Sequence, residues 1–161
     1  MRVAGIDTGL RRCGVAFFEN RRLVWVQLVS ATKGDDAVYE MARGVMGAVP
    51  SCPDRTYIEV PQQYPSSPVP RASLEQLTLV AGALTQVFQG RGSKVERIYP
   101  RHWKGQVPKK VMLRRIRAHL NEGERALVEG LSLPVSSAHN VWDAVGVGLW
   151  AVDRIGTRVG R

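Results

Sequence analysis

The sequence predicts a single α/β domain spanning residues 1–161: a mixed five-stranded sheet, an antiparallel meander followed by β-α-β units, with helices on its faces. Three observations predict it. Three strand-like apolar runs follow one another between Met1 and Val29 with only short turns between them. Two further strand-like runs alternate with stretches whose apolar residues recur at helical spacing. And 161 residues suit one domain with a proper core.

In order, Val3, Ala4 and Ile6 form a short apolar strand that ends at Asp7. Thr8, Gly9 and Leu10 make a turn, for which Gly9 offers a positive φ. Val15 to Phe18 return as the second strand, Asn20 to Arg22 turn again, and Leu23 to Val29 is the third. From Asp35 to Val49, Val38, Met41, Ala42, Val45 and Val49 mark an amphipathic helix that Pro50 and Pro53 end. Thr56 to Val60 is the fourth strand and carries Glu59. Pro61 to Pro70, with four prolines, is a surface loop. Arg71 to Gln89 is a long helix, closed by Gly90 and Gly92, and Lys94 to Tyr99 is the fifth strand. Pro100 to Leu120 is a loop leading at Pro108 into a helix with one apolar and one basic face. Asn121 to Leu133 has no decisive pattern. Ser136 or Ser137 is placed to cap a last helix from His139 to about Ile155, in which Ala144, Gly146 and Gly148 allow close approach to the sheet.

The formal net charge is +9 and the pI near 10.3. Such a balance favours a polyanionic partner, nucleic acid before membrane, with an ordinary basic protein as the plain alternative. Cys13 and Cys52 are too few for a disulfide framework or a zinc site, which suits a reducing, cytoplasmic setting. Asp7 interrupts the apolar stretch that a signal peptide needs. No window approaches the roughly 18 apolar residues of a membrane span.

Three acids stand where core residues are expected: Asp7 at the end of the first strand, Glu59 in the fourth, and Asp143 in the last helix, one turn after His139. Each has a plainer reading. Asp7 can cap its turn or the turn can cradle a phosphate, Glu59 can sit at a strand end, Asp143 can answer a helix dipole, and His139 can be solvated. If strands one and four are neighbours and the last helix packs across them, the carboxylates converge. Their repulsion is relieved by hard divalent cations, Mg²⁺ or Mn²⁺. Two such ions support phosphodiester hydrolysis. The segment from Pro100 to Leu120 adds Arg101, Lys104, Lys109, Lys110, Arg114, Arg115 and Arg117 without one acid, a surface for a phosphate backbone. Trp103 can stack on a base or sit in the core, with core or interface favoured, and Trp25, Trp142 and Trp150 are assigned to packing.

These residues resemble a family. GIDTGLRRCGVAF is similar to the opening motif of the RuvC-type Holliday junction resolvases, in the RNase H-like nuclease superfamily. YIEV resembles that family's second acidic strand, HNVWDAVGVGLW its final helix, and YPRHWKGQVPKK its basic DNA-contacting segment. The resemblance implies one RNase H-like domain acting as a metal-dependent, structure-selective endodeoxyribonuclease. It would nick four-way DNA junctions in symmetric pairs and leave 5′-phosphates. It also implies a homodimer, and two Mg²⁺ or Mn²⁺ ions held by Asp7, Glu59, Asp143 and His139. DNA would be held by Arg101, Lys104, Lys109, Lys110 and Arg114, and Tyr64 is a candidate for the aromatic that opens the junction centre in the family, although the proline loop after Glu59 differs from the family pattern.

The sequence departs from the family pattern in places. Thr8 replaces the usual proline, and the usual spacing in the last helix falls on Asn140 rather than His139, which leaves open which of the two completes the site. Compact size and these departures point to a phage or mobile-element version working in a bacterial host cytoplasm. The rival readings are action on other branched DNA or RNA–DNA hybrids, a non-catalytic junction-binding relative, and the actin-like and sugar-kinase ATPases, whose phosphate loop GIDTGLRRCG also resembles. The dimer surface is expected on the apolar side of the helix Arg71 to Gln89.

Overall fold

The computed structural model describes residues 1–32, 34, 36–62, 70–134 and 136–156. Five strands and six helices follow in the order β1 (Arg2–Asp7), β2 (Arg12–Glu19), β3 (Arg22–Ser30), α1 (Ala37–Ala48), β4 (Arg55–Glu59), α2 (Arg71–Gly90), β5 (Lys94–Ile98), α3 (Pro100–Trp103), α4 (Lys109–Ala118), α5 (Glu122–Glu129) and α6 (Ala138–Ala151). The sheet order is β3-β2-β1-β4-β5. β1, β2 and β3 pair antiparallel, whereas β4 lies parallel to both β1 and β5. This is the expected mixed sheet.

Alternation along the central strands sorts the core into two layers. Ala4, Ile6, Cys13, Val15, Phe17 and Ile58 face α1 and α2. Val3, Ala16, Phe18 and Tyr57 face the other way, toward α6 and the residues Trp103, Met112, Ile116 and Val128 of α3, α4 and α5. Gly5 and Gly14 lie on that second face and let α6 settle directly on the sheet. A Cβ on Gly5 would stand 2.6 Å from both the Ala144 carbonyl oxygen and the Gly148 nitrogen, and one on Gly14 would strike the Asn140 backbone. Gly148 in turn makes room for the Phe18 ring, and Gly146 for the Trp103 indole. The expectation that small residues of the last helix permit close approach to the sheet is met at Ala144 and Gly148, whereas Gly146 faces α3 and α4 instead.

Several local readings need correction. Gly9 does not adopt a left-handed φ; it is needed because a Cβ there would collide with the Arg12 carbonyl. The left-handed residues of the meander are Asn20 (φ 47°) and Arg21 (φ 70°), the pattern of a tight hairpin turn. Ser137 occupies the N-cap position of α6, but its hydroxyl accepts from Arg12 Nη1 rather than capping the helix. The stretch from Asn121 is a helix, opened by a reciprocal capping box between Asn121 and Glu124.

That helix is held by a buried cluster. Glu124, only 3% exposed, accepts from the Leu23 and Asn121 amides at 2.8 and 2.9 Å and from Arg154 at 2.5 and 2.8 Å. Arg154 also donates to the Arg21 and His119 carbonyls. The cluster ties β3, α5 and the end of α6 together. Burial pushes the Glu124 carboxyl up, but the Arg154 and backbone hydrogen bonds outweigh it and leave the group below the ordinary glutamate range.

Candidate active site

Register brings the first two acids together. β1 and β4 are parallel neighbours, and Asp7 pairs with Glu59 at their C-terminal ends. Directly opposed residues share a face, so both carboxylates lie on the side that α6 covers, two residues beyond the close contact at Gly5. Thr8 Oγ1 donates to the Glu59 carbonyl at 2.7 Å and ties the two strand ends together. Asp143 lies in α6, adjacent to Ala144 whose carbonyl abuts Gly5. The packing that seats α6 therefore also delivers the third acid.

The short helix α3 supplies the other half of the site. Trp103 is fully buried, and its indole Nε1–H donates to Glu59 Oε2. Lys104 follows it and turns its ammonium inward, 3.4 Å from Glu59 Oε1 and 3.2 Å from Asp143 Oδ2, and 4.8 Å from the centre of the Trp103 ring. The electrostatics match this crowding. Burial, then the charges of Glu59 and Asp143, push the Asp7 carboxyl well above the ordinary aspartate range against the pull of Lys104 and Lys109. Burial also raises Glu59, although Lys104 and the Trp103 hydrogen bond oppose it. Burial alone would lower Lys104, but Glu59, Asp143 and Asp7 hold its amine above the usual lysine value, so it stays charged.

His139 is exposed in the first turn of α6 and lines a cavity of about 330 Å³ together with Lys109, Arg117, Trp142 and Asp143. Partial burial and Lys109 lower its pKa, which leaves a neutral imidazole at neutral pH. Asn140 points elsewhere: its amide donates to the Arg12 carbonyl at 2.7 Å and fastens α6 to the β1–β2 turn. Of the two residues left open by the sequence, His139 is the one beside Asp143 in the cavity.

The basic segment divides. Lys104 belongs to the acidic cluster. Lys109 and Lys110 open α4, whose first turn carries no acid, and Lys109 lines the cavity. Lys110 and Arg114 are exposed, four residues apart on one face of α4, and ion-pair with no described residue. Arg101 is exposed with its guanidinium over the Tyr99 ring. Arg115 instead donates to the Gly156 carbonyl, and Arg117 stacks over Trp142 and pairs with Glu129. Tyr64 lies outside the described residues.

Trp103 is buried as its sequence reading expects, but its hydrogen bond to Glu59 is what that reading did not foresee. Its neighbours in sequence identify it only as a large apolar side chain, and the bond to Glu59 joins positions 44 apart in the chain.

The donor set fits a hard divalent cation in its chemistry: three carboxylates from three elements, two of them raised first by burial and then by neighbouring carboxylates, with a positive charge already drawn between Glu59 and Asp143. As placed, no three His, Cys, Asp or Glu side chains among the described residues stand close enough to enclose an ion. Lys104 supplies the countercharge. Also among the described residues, no helix is long and apolar enough to cross a membrane.

No protein-family model and no curated protein matches the sequence. Solved structures do match. Thermus thermophilus RuvC in complex with a Holliday junction substrate superposes with a TM-score of 0.68 at 19% identity, over 92% of this chain and 90% of that one. A second Thermus thermophilus RuvC structure gives 0.63 at 17% identity over 94% and 95%. The yeast mitochondrial Holliday junction resolvase Ydc2 gives 0.57 at 15% over 94% and 79%. This chain thus has the RNase H-like fold of the RuvC-type Holliday junction resolvases.

Proposed function

We propose that the protein is a metal-dependent, structure-selective endodeoxyribonuclease that resolves four-way DNA junctions by paired symmetric nicks, leaving 5′-phosphates. The observation that carries this reading is the register pairing of Asp7 with Glu59 under α6, with Asp143 meeting the same lysine as Glu59. The fold supports it, since the Thermus thermophilus RuvC that superposes on this chain was solved with a Holliday junction.

Asp7, Glu59, Asp143 and His139 would hold Mg²⁺ or Mn²⁺, two ions per site. When bound, the ions supply an activated water and a Lewis acid for the leaving oxygen. The chain's own residues do the rest. Trp103 holds Glu59 in one orientation through its indole N–H. Lys109, Lys110, Arg114 and Arg101 bind the phosphate backbone, with the N-terminal end of α4 adding its dipole. Where His139 is not itself a ligand, its imidazole, neutral at neutral pH, can instead take the proton of the attacking water. The junction's two-fold symmetry calls for a second copy of the chain. The first half of α2 offers a surface for it, with Leu74 and Leu77 only partly covered and Leu79 61% exposed.

The test is cleavage of a labelled four-way junction beside a linear duplex of the same sequence, with Mg²⁺ or EDTA. Paired nicks on the junction alone, abolished by EDTA, are expected. Asp7→Asn should bind the junction and leave it uncut; full activity in that variant would refute the site. A second reading, junction binding without cleavage, is favoured by the Lys104 ammonium, which already stands between Glu59 and Asp143. Tight binding with no cut in Mg²⁺ or Mn²⁺ would select it. Cutting of other branched DNA or of RNA–DNA hybrids at equal rates would keep the nuclease and remove the junction preference.

A further inference from the structure

Of the cations between Arg101 and Arg117, Lys104 alone among the described residues pairs with Glu59 and Asp143. Its backbone has little freedom. Trp103 before it is locked in a slot formed by Gly146 and Ile116, and Gly105 after it turns the chain away at φ 59°. Only the flexible four-carbon stem can carry the ammonium elsewhere. The head group can therefore stay between the carboxylates or swing out toward the cavity that Lys109 and Asp143 line.

We propose that Lys104 is a built-in counter-cation of the acidic site, which a divalent metal ion displaces, releasing the lysine to a phosphate oxygen of the substrate. The inference rests on the metal-dependent reading above and adds an ordered exchange to it. In the metal-free protein one ammonium relieves the repulsion of Asp7, Glu59 and Asp143 and keeps Glu59 and Asp143 drawn toward a common point. An ammonium offers three N–H donors to carboxylate oxygens and carries one charge. A divalent ion carries two and gathers more oxygens at shorter range. The two cations cannot share the space between Glu59 Oε1 and Asp143 Oδ2, so the ion's arrival drives the ammonium out. Placement of the lysine next to Lys109 then puts a free donor where the backbone of a bound strand would pass.

The test needs no cleavage. Mn²⁺ is titrated calorimetrically into the wild type and into Lys104→Gln without DNA. The variant should bind Mn²⁺ about tenfold more tightly, the order expected from removing one neighbouring like charge, and should melt lower than wild type without metal and gain more from it. Equal or weaker Mn²⁺ binding by Lys104→Gln, with clear binding by the wild type, overturns the exchange and leaves the metal site standing. Absence of Mn²⁺ binding in both overturns the metal-dependent reading itself.

A second measurement uses the wild type alone. Acetylation by acetic anhydride, read by mass spectrometry, should spare Lys104 relative to Lys110 in EDTA and modify it on addition of Mg²⁺. Protection that Mg²⁺ leaves unchanged would overturn the proposal even if the glutamine variant does not fold.

Discussion

Gly5→Ala tests whether the contact between β1 and α6 sets the acidic site. The added methyl would lie 2.6 Å from the Ala144 carbonyl oxygen, 2.6 Å from the Gly148 nitrogen and 2.9 Å from the Gly148 Cα. All three are backbone atoms and cannot rotate aside. Restoring ordinary contact requires α6 to lift from β1 by roughly 1 Å, an overpacking strain of about 2 kcal/mol. In a chain of this size that lowers Tm by about 4–8 °C. Asp143 rides on α6 next to Ala144, so the same lift moves it away from Asp7 and Glu59. A misplacement of about 1 Å at a reacting centre costs about 100-fold in rate. The assay is single-turnover junction cleavage well below Tm, with melting followed by circular dichroism. Gly82→Ala is the control. Gly82 is exposed in the middle of α2, and a Cβ there meets nothing within 4 Å. The same chemical change there should stabilise by about 0.5–1 kcal/mol and leave cleavage unchanged. A Gly5→Ala protein that melts and cuts like wild type would refute the claim that the glycine contact positions the acids.

Three further outcomes follow from the geometry. Glu124→Ala leaves the partly exposed Arg154 without its carboxylate and should cost about 1.5–3 kcal/mol, read as a fall in Tm; because the Glu124 pKa is depressed in the folded protein, its contribution is full above the ordinary glutamate pKa and disappears as pH falls through the depressed value, so wild type and variant should converge in stability under acid. Trp103→Phe keeps the ring in its slot but removes the donor to Glu59, so cleavage should fall about tenfold with junction affinity unchanged, and equal activity would show that Glu59 needs no such restraint. Burial pushes the Cys13 thiol up to about 12, so a thiol reagent at neutral pH should label Cys13 only after unfolding; labelling in the native state would contradict its burial on the α1–α2 side of the sheet.

What the sequence reveals depends on the range of the interaction. The strands around Asp7 and Glu59 and the helix around Asp143 are legible because apolar runs and helical spacing are local signals, and the acids interrupt them. Their convergence is legible only conditionally, since it needs β1 beside β4 and α6 across both. Helix α5 escapes because its apolar pattern is thin; the Asn121-x-x-Glu124 box was the available signal. Gly5 and Gly14 look like ordinary strand residues until the helix that presses on them is placed. Lys104 looks like a phosphate contact among other cations, because composition records the charge of a segment and not the direction in which one side chain turns. Asn140 and His139 are adjacent in sequence, yet only the fold shows that one fastens the helix and the other borders the cavity.

The acids come from distant parts of the chain, and this has a consequence for the order of assembly. A ribosome emits Asp7 first and Glu59 soon after, but Asp143 emerges more than a hundred residues behind Asp7. At about 5–20 residues per second the interval is on the order of ten seconds. Throughout it the face of β1 and β2 bearing Val3, Gly5, Gly14, Ala16 and Phe18 has no helix to cover it. A nascent chain thus holds two of its three carboxylates on an unfinished, sticky surface and lacks the third. Docking of α6 closes the apolar face and completes the acidic cluster in one event, so a partly made chain is a client for chaperones well before its three acids meet.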